Sequence, residues 1–254
     1  MKRPRLIAEI GKTHCGNVAT AKKLIGLAAK AGVDAVKFQA YEISDLMRDH
    51  PNYKRNKLSH LQIGELLDLK RVADRNNVEF WCSCFSKNLF KPLSEFTDTV
   101  KLASTFLEKD DYIRLALDNF EEVHISTGFH DRAKVAKIAD ELKGVILYHC
   151  TSEYPVHERF NLSRIRELGL RGYSHHAKSI HPMIYAWMMG AENIEFHFDS
   201  NNDSWRLDSH AVQHLIQRIN EVYPMVRDRG ASREVGKNYE FFKKEFKDLL
   251  SLIQ

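Results

Sequence analysis

Short apolar runs recur eight times in this chain, and each is followed by a stretch whose apolar residues fall at helical spacing. The runs are Arg5–Gly11, Asp34–Ala40, Val78–Phe85, Thr99–Ser104, Glu122–Thr127, Val145–Thr151, Gly172–His176 and Asn193–Phe198. The helical patterns cover Asn17–Ala31, Leu61–Asn76, Asn88–Glu95, Asp110–Asp118, Arg132–Leu142, Leu162–Leu168, Pro182–Met189 and Ser209–Val226. Gly32 is placed to stop the first helix. Strands that alternate with helices build a parallel sheet. Eight such units in 254 residues favour an α/β fold of the closed (β/α)8 TIM-barrel kind over an open doubly wound sheet. No linker splits residues 1–230, which are expected to form the barrel, and residues 231–254 read as a C-terminal helical extension, helical from about Asn238 to Leu252. One segment breaks the rhythm. Tyr41–Ser59 is polar, contains Pro51 and is long for a connection, and loops of that length often serve as lids or binding segments.

The net charge of +4 is mild, and the lysines and arginines are spread along the chain. That argues against nucleic acid or membrane as a partner. No secretory signal precedes the first strand, and no apolar run nears the roughly 20 residues of a membrane helix. A cytoplasmic protein is expected, in which Cys15, Cys82, Cys84 and Cys150 stay reduced. Cys82 and Cys84 lack the second pair of a zinc site and read as packing residues.

The polar residues gather where a barrel keeps its chemistry, at the carboxyl ends of the strands. Strand one carries Glu9, strand two Lys37 and Gln39, and strand four Lys101, followed by Ser104. Strand five ends Ser126-Thr127-Gly128, and strand six carries His149 and Thr151. Residues two apart on a strand share a face, so Ser174 pairs with His176, and Glu195 with His197. If these last strands are adjacent, two imidazoles and a carboxylate converge, which suits a divalent metal beside a small anionic substrate. Two buried lysines on different strands fit a shared anion. Each residue also has a plainer reading: Lys37 or Lys101 alone can snorkel past a helix, Ser126-Thr-Gly can cap the next helix, and His124 and His149 fit hydrogen-bonded core positions. His175 points away from His176.

Taken together, Ala8-Glu-Ile-Gly11, Ala35-Val-Lys-Phe-Gln39, Lys101-Leu-Ala-Ser104, Ser126-Thr-Gly128, His149-Cys-Thr-Ser-Glu-Tyr-Pro155, Gly172-Tyr-Ser-His-His176 and Ile194-Glu-Phe-His-Phe198 resemble the sialic acid synthase family. The resemblance implies a (β/α)8 barrel that joins phosphoenolpyruvate to the open-chain aldehyde of an N-acylhexosamine, giving a nine-carbon 2-keto acid and phosphate. It implies a divalent metal, Mn2+ or Mg2+, on His176 and His197. It also implies that Lys37, Lys101, Ser104, Ser126, Ser174 and, less securely aligned, Ser83 hold phosphoenolpyruvate. Glu9, Gln39, Tyr154, Glu195 and, less securely, Asp208 would line the sugar and metal side. A homodimer is expected by analogy.

The chain departs from the family pattern at three places. His175 replaces an aspartate, Phe106 stands where an acidic residue is common, and Thr13-His14-Cys15-Gly16 lacks the usual asparagine. Most members also carry an antifreeze-like domain that reaches the sugar across a dimer, and the sequence as given ends too early to hold one. Residues 41–59 or the C-terminal helix are then candidates for the missing wall. The competing expectations are a non-catalytic sugar- or phosphate-binding relative, and a metal-dependent hydrolase or isomerase on the same barrel.

Overall fold

The computed structural model describes residues 2–157, 159–201 and 205–227. Eight parallel strands close into a barrel in sequence order: β1 (Arg5–Gly11), β2 (Ala35–Ala40), β3 (Glu79–Cys84), β4 (Thr99–Leu102), β5 (Glu122–Ser126), β6 (Val145–Cys150), β7 (Gly172–His175) and β8 (Asn193–His197). The helices are α1 (Val18–Ala31), α2 (Tyr53–Leu58), α3 (Ile63–Arg75), α4 (Phe90–Ser94), α5 (Asp110–Asn119), α6 (Arg132–Glu141), α7 (Ser163–Glu167), α8 (His181–Met189) and α9 (Ser209–Arg227). The expected helix at Asn238–Leu252, and with it the 231–254 extension, lies outside the described residues.

The helix ends follow the local sequence. Asn17 accepts from the Thr20 amide to start α1, and Gly32, in the left-handed region at φ 96°, ends it. Gln62 and Glu65 cap α3 reciprocally, and Asp131 caps α6 through the Lys134 amide. The larger core lies between strands and helices, where Leu6, Phe38, Phe90, Trp187 and Phe196 are buried.

Inside the barrel the side chains form layers. At the amino end, Arg5 bonds Asn193 (2.9 Å) and pairs with Glu79 (3.2 Å) and Glu122. Above it Ile7, Ala35 and Trp81 pack together, with His124 4.5 Å from the Trp81 ring and 5.3 Å from Tyr148. The carboxyl-end layer holds the charged residues described below. Gly172 makes room for the middle layer: a Cβ there would fall 2.2 Å from the Tyr148 ring. Gly172→Ala is therefore expected to cost about 1–3 kcal/mol of stability, read as a lowered thermal midpoint.

His124 and His149 are both buried, as the plainer reading expected, each with one bond, to Glu122 (2.7 Å) and to the Phe160 carbonyl (2.7 Å). Burial pulls each imidazole down to about 4, against the opposing pull of those acceptors. Between pH 6.5 and about 4 the unfolded chain therefore binds more protons than the folded one, and stability must fall as the pH falls through that window. The expected loss is roughly 3 kcal/mol per imidazole at the acid end. Thermal melts between pH 7 and pH 4.5 measure it, and an unchanged midpoint would contradict the assignment of these two rings as buried and neutral.

Candidate active site

Strand register assembles the site. Glu9 sits beside Lys37 on one side and His197 on the other; Gln39 pairs with Ser83, Ser83 with Lys101, and Ser174 with Glu195. Together with Ser104, Ser126, Tyr154 and His176 they line one cavity of about 550 Å³ at the carboxyl ends of the strands. A second hollow of about 710 Å³ opens at the amino ends around Arg5, Trp81 and Glu122, the end of a barrel where residues serve stability.

The floor of the cavity is a buried ion network. The Lys37 ammonium lies 2.6 Å from Glu9 and 3.6 Å from Glu195, and donates to Ser83 (2.6 Å). Lys101 lies 2.8 Å from Glu195, donates to Ser174 (2.5 Å), and stands 4.1 Å above the Tyr148 ring centroid. Gln39 donates to the other Glu9 oxygen at 2.7 Å. The lysines therefore have protein carboxylates as partners, not only the anion expected from sequence. Burial opposes the Glu195 charge, yet Lys101 and Lys37 outweigh it and hold the carboxyl at about 2. Burial also pulls at both lysines: Glu195 and Glu9 more than offset it at Lys37, which is raised, whereas Lys101 is lowered.

Hydroxyls line the side formed by β3 to β5. Ser104 accepts from the Gly128 amide at 2.9 Å and lies 3.4 Å from the Cys150 sulfur. Gly128 is needed for this approach, since a Cβ would fall 2.3 Å from Ser152 Oγ and 2.6 Å from Cys150 Sγ. Ser126 is buried beside them.

His176 and His197 stand side by side, with ring centroids 5.4 Å apart. Tyr154 lies over His176 at 4.1 Å, and Trp205 lies 4.8 Å from His197. His176 Nδ1 is 2.8 Å from the Thr151 carbonyl, so that nitrogen carries the proton and Nε2 keeps its lone pair. Burial lowers His176 to about 4; at His197 burial, with His176 adding to it, acts in the same direction. Two neutral imidazoles, that of His176 with its tautomer fixed, fit a divalent ion. Among the described residues no three His, Cys, Asp or Glu side chains gather into a metal-holding group.

Asp208 does not line this cavity. Its carboxylate accepts from the Ala211 amide at 2.8 Å and caps α9. His175 faces outward from the barrel, as its strand position predicts, 3.1 Å from the Tyr173 hydroxyl and stacked on Phe160. Phe106 packs against Phe85 and Tyr112. His14 braces the turn after β1, between the Gly11 carbonyl (2.9 Å) and the Gly16 amide (3.0 Å).

The sequence reading missed Lys12, Thr13, Asn52, Arg55, Asn56, Trp205 and Arg206, all of which line the cavity. The only signal for three of them was the length of the 41–59 segment, which folds in part as α2 and brings in Asn52, Arg55 and Asn56. Gly16, at φ 80°, seats that segment, because a Cβ there would fall 2.0 Å from the Leu58 carbonyl.

A closed parallel barrel with charged groups at its carboxyl mouth defines the class, a TIM-barrel enzyme. The chain matches the model of the NeuB family over residues 24–232, and it belongs to that family, the sialic acid synthase family that its motifs resemble. It is 27% identical to N,N'-diacetyllegionaminic acid synthase of Campylobacter jejuni, across 96% of this chain and 84% of that protein. It is 26% identical to the enzyme of the same name from Legionella pneumophila, across 85% and 71%. Its structure is similar to that of N-acetylneuraminic acid synthetase from Leptospira borgpetersenii in complex with citrate, with a TM-score of 0.84 and 25% identity over 97% of this chain and 93% of that one.

Proposed function

We propose that the protein condenses phosphoenolpyruvate with the open-chain aldehyde of an N-acylhexosamine or a related sugar, releasing phosphate and a nonulosonate-type 2-keto-3-deoxy acid. The observation that carries this reading is the cavity itself: two lysines, two glutamates, a row of hydroxyls and two neutral imidazoles meet in about 550 Å³. The related Leptospira synthetase was solved with citrate, a polyanion, which accords with a cavity built for anions.

Lys37 and Lys101 offset the charge of the enolpyruvyl carboxylate and phosphate, and Ser83, Ser104, Ser126 and Ser174 fix its orientation. A divalent ion, Mn2+ or Mg2+, held by His176 and His197, would supply Lewis-acid polarisation of the aldehyde oxygen. C3 of the enol forms the new bond to the aldehyde carbon, water adds to C2, and the C2–O bond to phosphate breaks. Glu195, kept ionised by Lys101 and Lys37, can orient the attacking water by accepting a hydrogen bond from it but has no proton to give. Lys101, the more easily deprotonated lysine, suits the donation of a proton to a departing oxygen. Glu9 and Gln39 stand on the sugar side with Tyr154.

Incubation with phosphoenolpyruvate, manganese or magnesium and a panel of N-acylhexosamines tests the reaction: phosphate is released with at least one acceptor, and release with none would end the reading. The same barrel is proposed to act as a homodimer, which light scattering would measure. Among the described residues no helix is long and apolar enough to cross a membrane. A cytoplasmic location is part of the proposal, and fractionation of cells expressing the protein would measure it.

A further inference from the structure

Apart from its charges, the cavity has an aromatic corner beside the two imidazoles. Tyr154 lies in the connection after β6, with its ring centroid 4.1 Å from that of His176, yet it remains 59% exposed, so one face of the ring is open. Trp205 lies between β8 and α9 and meets His197 edge to face at 4.8 Å. The planes of Trp205 and Tyr154 stand 64° apart with centroids 5.8 Å apart, which makes them the two walls of a corner. Trp205 is half-buried, and both rings line the cavity.

The rest of the lining on this side is polar: Glu9, Lys12, Thr13, Gln39 and Arg206. Phe85, a further aromatic residue of the lining, follows β3. Open aromatic faces in a polar cavity suit an apolar part of a ligand, because covering them with methyl or planar groups removes apolar area from water. Position says which part. With the aldehyde carbon at the imidazoles, the neighbouring carbon carries the substituent nearest to a ring that stands 4.8 Å from His197. A hydroxyl there gives the rings nothing apolar to cover. An acylamino group gives them a planar amide and a methyl.

We propose that Trp205, together with Tyr154, seats the acyl group carried by the carbon next to the aldehyde, and that Trp205 sets the preference for an acylated aminosugar over the plain hexose. This rests on the condensation reading above. Trp205 acts here by touching the acceptor, not by holding His197 in place, and the two roles give different results when the indole is removed.

Trp81 and Trp187 are buried, so a ligand-dependent change in tryptophan emission reports Trp205. The test titrates a panel of N-acetylhexosamines and the matching plain hexoses into wild type, Trp205→Ala and Trp205→Phe, with Mn2+ present and phosphoenolpyruvate absent. Emission is read where Trp205 is present and calorimetry in all three proteins, and KM is measured for each acceptor and for phosphoenolpyruvate. In wild type at least one acetylated sugar shifts the emission and binds at least about tenfold more tightly than its plain hexose. Trp205→Ala lowers that preference by roughly 5- to 50-fold, chiefly through the acceptor KM, and Trp205→Phe recovers part of it. Mn2+ affinity and the KM of phosphoenolpyruvate stay within about twofold of wild type in both variants. A preference that survives in Trp205→Ala overturns the proposal, and so does a loss of Mn2+ affinity in that variant, which would make the indole a brace for His197. If no acceptor turns over, the condensation reading fails separately: tighter binding of an acetylated sugar that Trp205→Ala removes still supports the seat, and binding that is absent or indifferent to the acetyl group overturns it.

Discussion

Lys101→Met is expected to lower phosphate release by roughly a thousandfold and to destabilise the fold, while the double variant Lys101→Met/Glu195→Gln recovers stability and no activity. In the native site the Lys101 ammonium contacts Glu195 at 2.8 Å and Ser174 at 2.5 Å, in a layer where both charged groups are buried. Removing the lysine leaves Glu195 with Lys37 at 3.6 Å as its remaining cation. Breaking a buried pair from one side costs about 3 kcal/mol, because the orphaned charge stays in a poorly solvated place. The Glu195 carboxyl, held at about 2 in the native protein, must then rise. A depressed carboxylate stabilises the fold above its unfolded value and loses that contribution as the pH falls towards the folded one, so the single variant loses part of its neutral-pH stability. Neutralising the glutamate as well removes the orphan and most of the penalty, but the charges that orient an enolpyruvyl anion are gone. Thermal melts and a phosphate assay on the four proteins of the cycle measure both effects. Activity within tenfold of wild type in Lys101→Met would remove this lysine from the chemistry.

The barrel was legible because each of its units repeats a pattern that local physics fixes. Val36, Phe38, Val100, Leu102, Val123 and Ile125 alternate with inward residues, and the helices between them carry readable starts and stops. The site was legible only where it lies on strands. Glu9, Lys37, Gln39, Lys101, Ser174, Glu195 and His197 could be placed on faces by counting in twos, and the register brings them together.

Pairing between strands was harder to read, because it is set by closure of the barrel. Glu195 lies 94 positions from Lys101 in the chain, and nothing local says that they meet. The lysines thus looked like groups waiting for an anion when they already have carboxylates. Ser104 is a boundary effect. It lies three residues past Lys101, and a strand would turn it to the opposite face. β4 ends at Leu102, and a 3-10 turn at Ser104–Phe106 swings the hydroxyl back to the cavity. The resemblance alone puts Asp208 with the sugar, whereas its position just before a helix is a capping signal, and its carboxylate caps α9. Lys12, Arg55, Trp205 and Arg206 sit in connections, where no periodicity says which way a side chain points.

On the proposed reading, loss of His176 or of His197 is expected to weaken divalent-ion binding and turnover together. His176→Ala removes the imidazole whose Nδ1 is tied to the Thr151 carbonyl, and with it a ligand nitrogen whose lone pair is already directed by that bond. His197→Ala removes its neighbour, 5.4 Å away centre to centre. With two candidate protein ligands, neither alone offers a chelating pair, so each variant should bind Mn2+ at least about tenfold more weakly and release phosphate roughly a thousandfold more slowly. His175→Asn separates ligation from general damage. His175 is buried against Phe160 and Tyr173 outside the barrel, so its loss lowers the thermal midpoint without changing manganese stoichiometry. Calorimetric titration of Mn2+ into the four proteins reads binding without reference to activity. Wild-type affinity in both His176→Ala and His197→Ala would take the ion out of this cavity. The buried lysines and hydroxyls would then carry the condensation alone, and the aldehyde oxygen would have to take its proton from a protein group with no Lewis acid to prepare it.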